Sequence, residues 1–181
     1  GTPVQYNGDS GIRSQRIGDT RTVQEGDPGS AVFMQVPAGN GTYTVTDNSS
    51  NQGNAYWTSA SVSNASAWVA DTYSLSFTAA DSWEVRNSSG SLVGSGSYSS
   101  GQSIAFAGVS IGFEGTPVAG DQFVVAQSGF QSVFKTVQDF LTTLDVDTGS
   151  PAGRAAFQNR LNSNLTNIDQ SLQHFGNIQS Q

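Results

Sequence analysis

The chain has no cysteine. That excludes disulfides, thiolate metal sites and a cysteine nucleophile together, and it fits a cytosolic protein as well as an extracellular one exported unfolded. Histidine occurs once, at His174. A serine triad would need it as base, yet it lies beside Leu172 in a helical pattern and no nucleophile elbow accompanies it, so it reads as a solvent or packing residue. Charge is also scarce: Asp, Glu, Lys and Arg make up 12% of the residues, about half the usual ~25%. The polar surface must therefore be Ser, Thr, Asn and Gln, which suits a folded protein with a neutral, hydroxyl-rich exterior rather than a charged disordered tail.

The seven basic residues, Arg13, Arg16, Arg21, Arg86, Lys135, Arg154 and Arg160, are scattered in a chain of net charge −7. They are too few to neutralise a row of phosphates, so nucleic acid is not an expected partner. The longest apolar runs, such as Ala31 to Met34, are four residues, far from the ~20 of a membrane span. No signal peptide opens the chain, and Gly1-Thr2-Pro3 reads as an internal boundary. At 181 residues there is length for one or two domains with a real core.

What is present divides into two grammars. Seventeen of the 21 glycines and all three tryptophans precede Gly129, whereas five of the seven leucines follow it. Before Gly129 the apolar residues alternate, as in Thr42 to Thr46, Tyr73 to Phe77, Ile104 to Phe106 and Val109 to Phe113. These runs are bounded by turn chemistry at Pro37 to Gly41, Asn87 to Gly90 and Gly120-Asp121, and they predict an antiparallel β domain packed on one side. Asp47 to Ser66 reads as a long loop or an edge excursion. Gly8 to Phe33 reads as a hairpin or pair of strands around Ile12, Ile17 and Val23, turning at Gly18-Asp19 with one poorly buried face.

Beyond Gly129 the period becomes helical. Phe130, Val133, Phe134, Val137, Phe140, Leu141 and Leu144 form an amphipathic stripe that Ser128 would cap. Asp145 to Ser150 is a break, and Ser150-Pro151 is an N-cap with proline at the first helical position. A second helix carries Leu161, Leu165, Ile168, Leu172 and Phe175 at a/d spacing, a seam whose expected partners are Val133, Val137, Phe140 and Leu144.

The remaining chemical motifs are incomplete. Glu114 and Asp121 bracket a turn and are read as shaping it. Asp145-Val146-Asp147-Thr148-Gly149 begins like a calcium loop but has glycine at a ligand position and no following Glu, so it reads as an interhelical turn. Gly94-Ser95-Gly96 is part of a phosphate-loop pattern without its helix and reads as a turn. The Asn-x-Ser/Thr triplets at Asn40, Asn48, Asn64, Asn87 and Asn164 are what an Asn- and Ser-rich chain produces. Trp57, Trp68, Trp83, Tyr43, Tyr73 and Tyr98 form either the core of the β domain, the favoured reading, or a sugar-stacking platform. No catalytic, cofactor-binding or metal residue is assigned, no cofactor is expected, and the chain is not read as an enzyme.

Several segments, in order along the chain, resemble the bacterial hook–filament junction protein family (hook-associated protein 3), a relative of flagellin. They are Tyr6-Asn7-Gly8-Asp9-Ser10-Gly11, Ile17-Gly18-Asp19, Gly29-Ser30-Ala31-Val32-Phe33 and Val36-Pro37-Ala38-Gly39-Asn40-Gly41-Thr42-Tyr43. Val109-Ser110-Ile111 leading into Gly115-Thr116-Pro117-Val118-Ala119-Gly120-Asp121-Gln122-Phe123-Val124-Val125 continues the series, and a phrase similar to its Gly115 to Phe123 part recurs in the sister junction protein. The helices from Phe130 to Gln181 close it, with Phe175-Gly176-Asn177 at a Val-Gly-Ala position. The polar pair Gln173-His174 departs from the pattern.

The resemblance implies an α+β architecture in three stretches: inner-domain strands over 1–33, an inserted β-rich outer domain over 34–127, and inner-domain helices over 128–181. It implies a structural subunit of the bacterial flagellum, extracellular and exported by the flagellar type III apparatus. Its partners would be copies of itself in a ring between hook and filament, the other junction protein and flagellin, with neither nucleic acid nor membrane. Lacking the family's axial helices, the chain is expected to be monomeric in dilute solution, with an under-covered seam whose last turns, about His174 to Gln181, fray or find cover in crystal contacts. The alternative is a carbohydrate-binding or adhesin-like β-sandwich module.

Overall fold

The computed structural model describes residues 6–8, 10–24 and 26–179. The opening Gly1-Thr2-Pro3, Asp9 of the first family-like segment, and the last two of the residues expected to fray lie outside the described residues.

The chain begins with a small antiparallel hairpin, β1 (Ser14–Arg16) and β2 (Thr22–Gln24). It turns over residues 18–20, with Gly18-Asp19 at the turn as the sequence suggests, and the Ile17 N–H donates to the Arg21 carbonyl at 2.9 Å. Gly29–Met34 then forms a short helix, α1, where only strands were expected. Pro28 favours that start: its fixed φ precedes the helix, and its carbonyl accepts from the Ala31 and Val32 amides.

The central part is a sandwich of two antiparallel sheets. Its strands are β4 (Tyr43–Asp47), β5 (Tyr56–Val62), β6 (Thr72–Ala79), β7 (Ser82–Arg86), β8 (Leu92–Ser97), β9 (Ser103–Phe106), β10 (Val109–Glu114) and β11 (Gln122–Gln127). One sheet has the order β4-β11-β6-β7-β8 and the other β5-β10-β9. Alternation does what it predicts: Tyr73, Leu75 and Phe77 of β6 point inward and are buried while Ser74 and Ser76 are not. The inward residues of both sheets meet in one aromatic core. Phe113 of the smaller sheet lies 4.9 Å from Phe123 and 5.8 Å from Phe77 of the larger, ring centre to ring centre and edge on. Each such ring stabilises the fold by about 1.5–3 kcal/mol through removal from water.

Of the two readings of Asp47 to Ser66 the edge one holds, as a seven-residue strand, β5, at a sheet edge, where Trp57 is buried and pairs with Phe113. Two other local expectations are corrected. Gly94-Ser95-Gly96 is not a turn but the middle of β8. Its glycines make room for the Trp83 indole of β7, whose Nε1–H donates to the Ser97 carbonyl at 3.1 Å. Ser128 does not cap a helix; its hydroxyl donates to the Ala38 carbonyl at 2.7 Å. It closes a neck formed by β3 (Val36–Pro37) and β12 (Phe130–Gln131), the paired strands by which the chain enters and leaves the sandwich. The helix α2 therefore starts later, at Val133–Thr143, capped by the Ser132 hydroxyl accepting from the Lys135 amide at 3.1 Å. The last helix, α3 (Pro151–Gln179), starts as expected, with the Ser150 hydroxyl accepting from the Gly153 amide at 2.9 Å. It is helical through the turns expected to fray, as far as Gln179.

Asp121 organises the loops at one end of the sandwich. Its buried carboxylate accepts backbone N–H bonds from Gln52 at 2.8 Å and from Gly53 and Val118 at 3.0 Å. Gly53 is required there, since a Cβ would run into the Asp121 carboxylate and the Pro117 backbone. This is why glycine, aspartate and phenylalanine occur together in the Gly115 to Phe123 phrase: turn, anchor and core. Replacing Asp121 by Ala orphans three backbone amides, of which that of Gly53 is buried, and we expect a loss of about 2–3 kcal/mol in urea unfolding followed by tryptophan fluorescence. Asp121→Asn should lose less, because it keeps an acceptor. A loss below about 1 kcal/mol for the alanine variant would show that the loops hold without it.

Side-chain amides from α3 close the open edges of both sheets. Asn159 Oδ1 accepts from the Trp57 amide at 2.9 Å, and Asn162 Nδ2 donates to the Trp57 carbonyl at 2.7 Å. The Ser163 hydroxyl reaches the Val45 carbonyl on β4 at 3.3 Å, and Asn167 Oδ1 accepts from the Gly39 amide at 2.7 Å. Asn159→Ala leaves a buried amide unpaired, so it should cost about 1–3 kcal/mol. It should also speed amide hydrogen exchange at Trp57. Unchanged exchange there would contradict the assignment.

Candidate assembly interface

The two long helices present an inverted amphipathic arrangement. On α2 the buried residues are Thr136 and Thr143, while Phe134, Val137, Leu141 and Leu144 are exposed. On α3 the buried residues are Ala155, Asn159, Asn164 and Ser171, while Leu165 and Leu172 are 48% and 63% exposed. The expected seam is thus only partly covered: Val133, Phe140, Leu161 and Ile168 are half-buried, while Val137, Leu144, Leu165 and Leu172 are exposed. A buried polar bond also joins the two helices, Asn164 Nδ2 donating to the Thr143 hydroxyl at 2.8 Å.

The physical reason is competition for the α3 surface. Residues two apart on a helix point about 200° apart, so Ser163 on the sandwich leaves Leu161 and Leu165 on the other side. Both sheet edges carry backbone groups that must be paired, and leucine cannot pair them. The polar face of α3 is taken by the sandwich, and the apolar face is left outward. The under-covered seam expected from the sequence is present at Leu165 and Leu172.

One end of this apolar face is covered. Phe33 of α1 lies 6.2 Å from Phe134 and 5.9 Å from Phe175 between ring centres. His174 is a packing residue, its Nε2 sharing a 3.0 Å hydrogen bond with the Ala31 carbonyl.

Between β4 and the helices is a cleft of about 470 Å³. Tyr43, Asp47, Lys135, Asp139, Arg160 and Asn164 are among its lining residues. Burial raises the Asp47 carboxyl above its ordinary range, with the Arg160 charge opposing the shift. Burial likewise pushes the Tyr43 phenol far up, and that hydroxyl donates to the Ser61 carbonyl at 3.1 Å. Lys135 pairs with Asp139 at 2.5 Å. The Lys135–Asp139 pair, the Tyr43 hydroxyl and the Asn164 amide are committed to partners within the chain, and the cleft is a polar joint between helices and sandwich. Among the described residues no group of three His, Asp or Glu is placed to hold a metal ion.

The other candidate residues take structural places. Glu114 accepts from the Tyr56 hydroxyl at 2.6 Å, a bond that raises the Tyr56 phenol. Asp147 Oδ1 accepts from the Gly149 amide at 2.8 Å, making the 145–149 stretch an interhelical turn. The aromatic set is core. Tyr43, Trp57, Tyr73 and Tyr98 are buried, and Trp68 and Trp83 pack half-buried against them, so no platform of these rings faces solvent. The sequence offered no advance notice of the α3 asparagines, because a polar residue in a helix is ordinarily solvent-facing.

A model of the D2-like domain of flagellar hook-associated protein 1 matches residues 46–127, the body of the sandwich. Among solved structures, FlgL from Xanthomonas campestris superposes with a TM-score of 0.90 at 34% identity, covering 97% of this chain and 57% of that one. The flagellar junction protein FlgL from Legionella pneumophila gives a TM-score of 0.90 at 32% identity, covering 97% of this chain and 58% of that one. A flagellar hook-associated protein 3 from Legionella pneumophila gives 0.87 at 32% identity, with 97% and 57% covered. The chain thus spans a little under three-fifths of the length of these relatives. No curated protein matches it by sequence. With sandwich, neck and helices all shared in order with FlgL, the chain belongs to the flagellar hook-associated protein family.

Proposed function

We propose that this chain is the sandwich-bearing part of a junction subunit that forms a ring between hook and filament and adapts one to the other mechanically. The observation that carries this reading is the outward apolar face of α2 and α3. Val137, Leu141, Leu144, Leu165 and Leu172 lie exposed along α2 and α3, while the polar side of α3 is already occupied by the sandwich. Such a face costs roughly 1.5–3 kcal/mol for each large side chain left in water instead of buried, and it favours helices packing against it. Axial helices of the same subunit, and through them neighbouring subunits, supply that cover in a tubular assembly.

The division of labour follows the neck. Residues 34–127 serve as an outer domain held away from the axis, and 1–33 with 128–181 serve as the inner, assembling part. Copies of the subunit, the other junction protein and flagellin are the partners in this reading, and the type III export apparatus delivers the subunit to the cell exterior. A neutral, hydroxyl-rich surface suits that role because little desolvation opposes contact between patches. Catalysis plays no part in it, and alone the chain remains monomeric in dilute solution.

Gold-labelled antibody against the sandwich tests the reading on flagella from a strain lacking its own junction protein and supplied with the full-length gene. Label is expected as a band at the hook–filament boundary together with restored swimming. Label spread along the filament, or absent from the boundary of swimming cells, would refute it.

A further inference from the structure

Two asparagines in the chain precede a glycine, in the pairs Asn7-Gly8 and Asn40-Gly41. Such pairs are chemically labile. Glycine has no Cβ to shield its backbone nitrogen or restrict its approach, so that nitrogen can attack the carboxamide carbon of the preceding asparagine. The new N–C bond closes a cyclic imide, and the carboxamide nitrogen leaves as ammonia, taking the backbone amide proton with it. Water then opens the imide at either carbonyl, giving aspartate or isoaspartate. Solvent supplies the one co-reactant.

The fold treats the two pairs differently. Asn7 and Gly8 are both exposed and lie outside any helix or strand. Asn40 stands in the turn that leads from the neck into β4, and both reacting groups are held there. Its Oδ1 accepts from the Thr42 amide at 3.0 Å and the Tyr43 amide at 2.9 Å, and its Nδ2 donates to the Ala60 carbonyl of β5 at 3.2 Å. The attacking nitrogen, that of Gly41, donates its proton to the Ala38 carbonyl at 3.1 Å. Glycine suits position 41 because φ there is +82°, a value that residues with a Cβ take only under strain. The turn uses the side chain of one residue and the backbone of the other, so the labile pair is built into it.

We infer that this chain carries two deamidation sites in opposite states: Asn7, which converts in the folded protein, and Asn40, which converts only while the chain is unfolded. Conversion at 40 is not silent. Aspartate there loses the donor to Ala60, leaving oxygen facing oxygen. Isoaspartate adds a methylene to the backbone just before β4 and moves the Thr42 and Tyr43 amides out of register with the side chain that caps them. Asn40 is thus a timer on the unfolded chain. A chain that folds late can no longer build the neck turn, whereas one that has folded is protected. The inference rests on the bonds of this turn and is independent of the ring reading.

Full-length protein is aged in mildly alkaline buffer, native in one sample and in denaturing urea in the other. Peptides are then mapped by mass spectrometry, with chromatographic separation of aspartate from isoaspartate. Both sites should convert in urea. In the native sample Asn7 should keep its urea rate, while Asn40 should slow at least about tenfold, since it reacts only through local opening. Protein aged in urea is next refolded and separated by size exclusion into compact and expanded fractions. Isoaspartate at 40 should be depleted from the compact fraction, and isoaspartate at 7 should be equally common in both. Native Asn40 converting as fast as in urea overturns the inference. So does native Asn7 converting no faster than native Asn40, or isoaspartate at 40 shared equally between the two fractions.

Discussion

Two open sheet edges dictate much of this structure. A sandwich that is not a closed barrel exposes unpaired amides and carbonyls on its edge strands, and β4 and β5 present such edges on the same side. The chain meets that demand with a helix instead of another strand. Asn159 and Asn162, one turn apart, take both backbone groups of Trp57, much as a neighbouring strand would. Ser163 and Asn167 extend the same line to β4 and to the neck.

The consequences run outward from that line. Because amides must face the sandwich, α3 has Leu165 and Leu172 on the far side, and a buried bond between Thr143 and Asn164 joins it to α2. The neck between β3 and β12 fixes where the sandwich sits on the helices, and α1 covers one end of their apolar face through Phe33. What remains uncovered is a stripe suited to helices. Function in such a protein is a matter of which surfaces are left unsatisfied.

Much of the sandwich was legible in the sequence. Alternation located β4, β6, β9 and β10, and Gly and Asn turns marked their ends, because each strand has one face in a core and one in water. The helices were legible as helices, and Ser150-Pro151 as a start, since capping is local chemistry. Their orientation was not. A stripe such as Val137, Leu141, Leu144 normally means a buried face, and here it means a face awaiting a partner. The Asn159 ladder was invisible for the converse reason: its meaning depends on strands more than 100 residues away in sequence. Phe130 joined the helical stripe by spacing alone, but strand pairing with Pro37 claims it. α1 went unread because six residues give too short a period to recognise. The family resemblance reached the α+β fold class with its β-rich part without any of these details.

Carbene footprinting read by mass spectrometry tests the central claim, that the polar face of α3 is spent inside the chain and the apolar face is kept for assembly. The isolated chain and the full-length protein in intact flagella are labelled side by side. The account predicts strong labelling of Val137, Leu141, Leu165 and Leu172 in the isolated chain and protection in flagella, with Asn159 and Asn164 protected in both. Leucines unlabelled in the isolated chain, or equally labelled in both states, would contradict it.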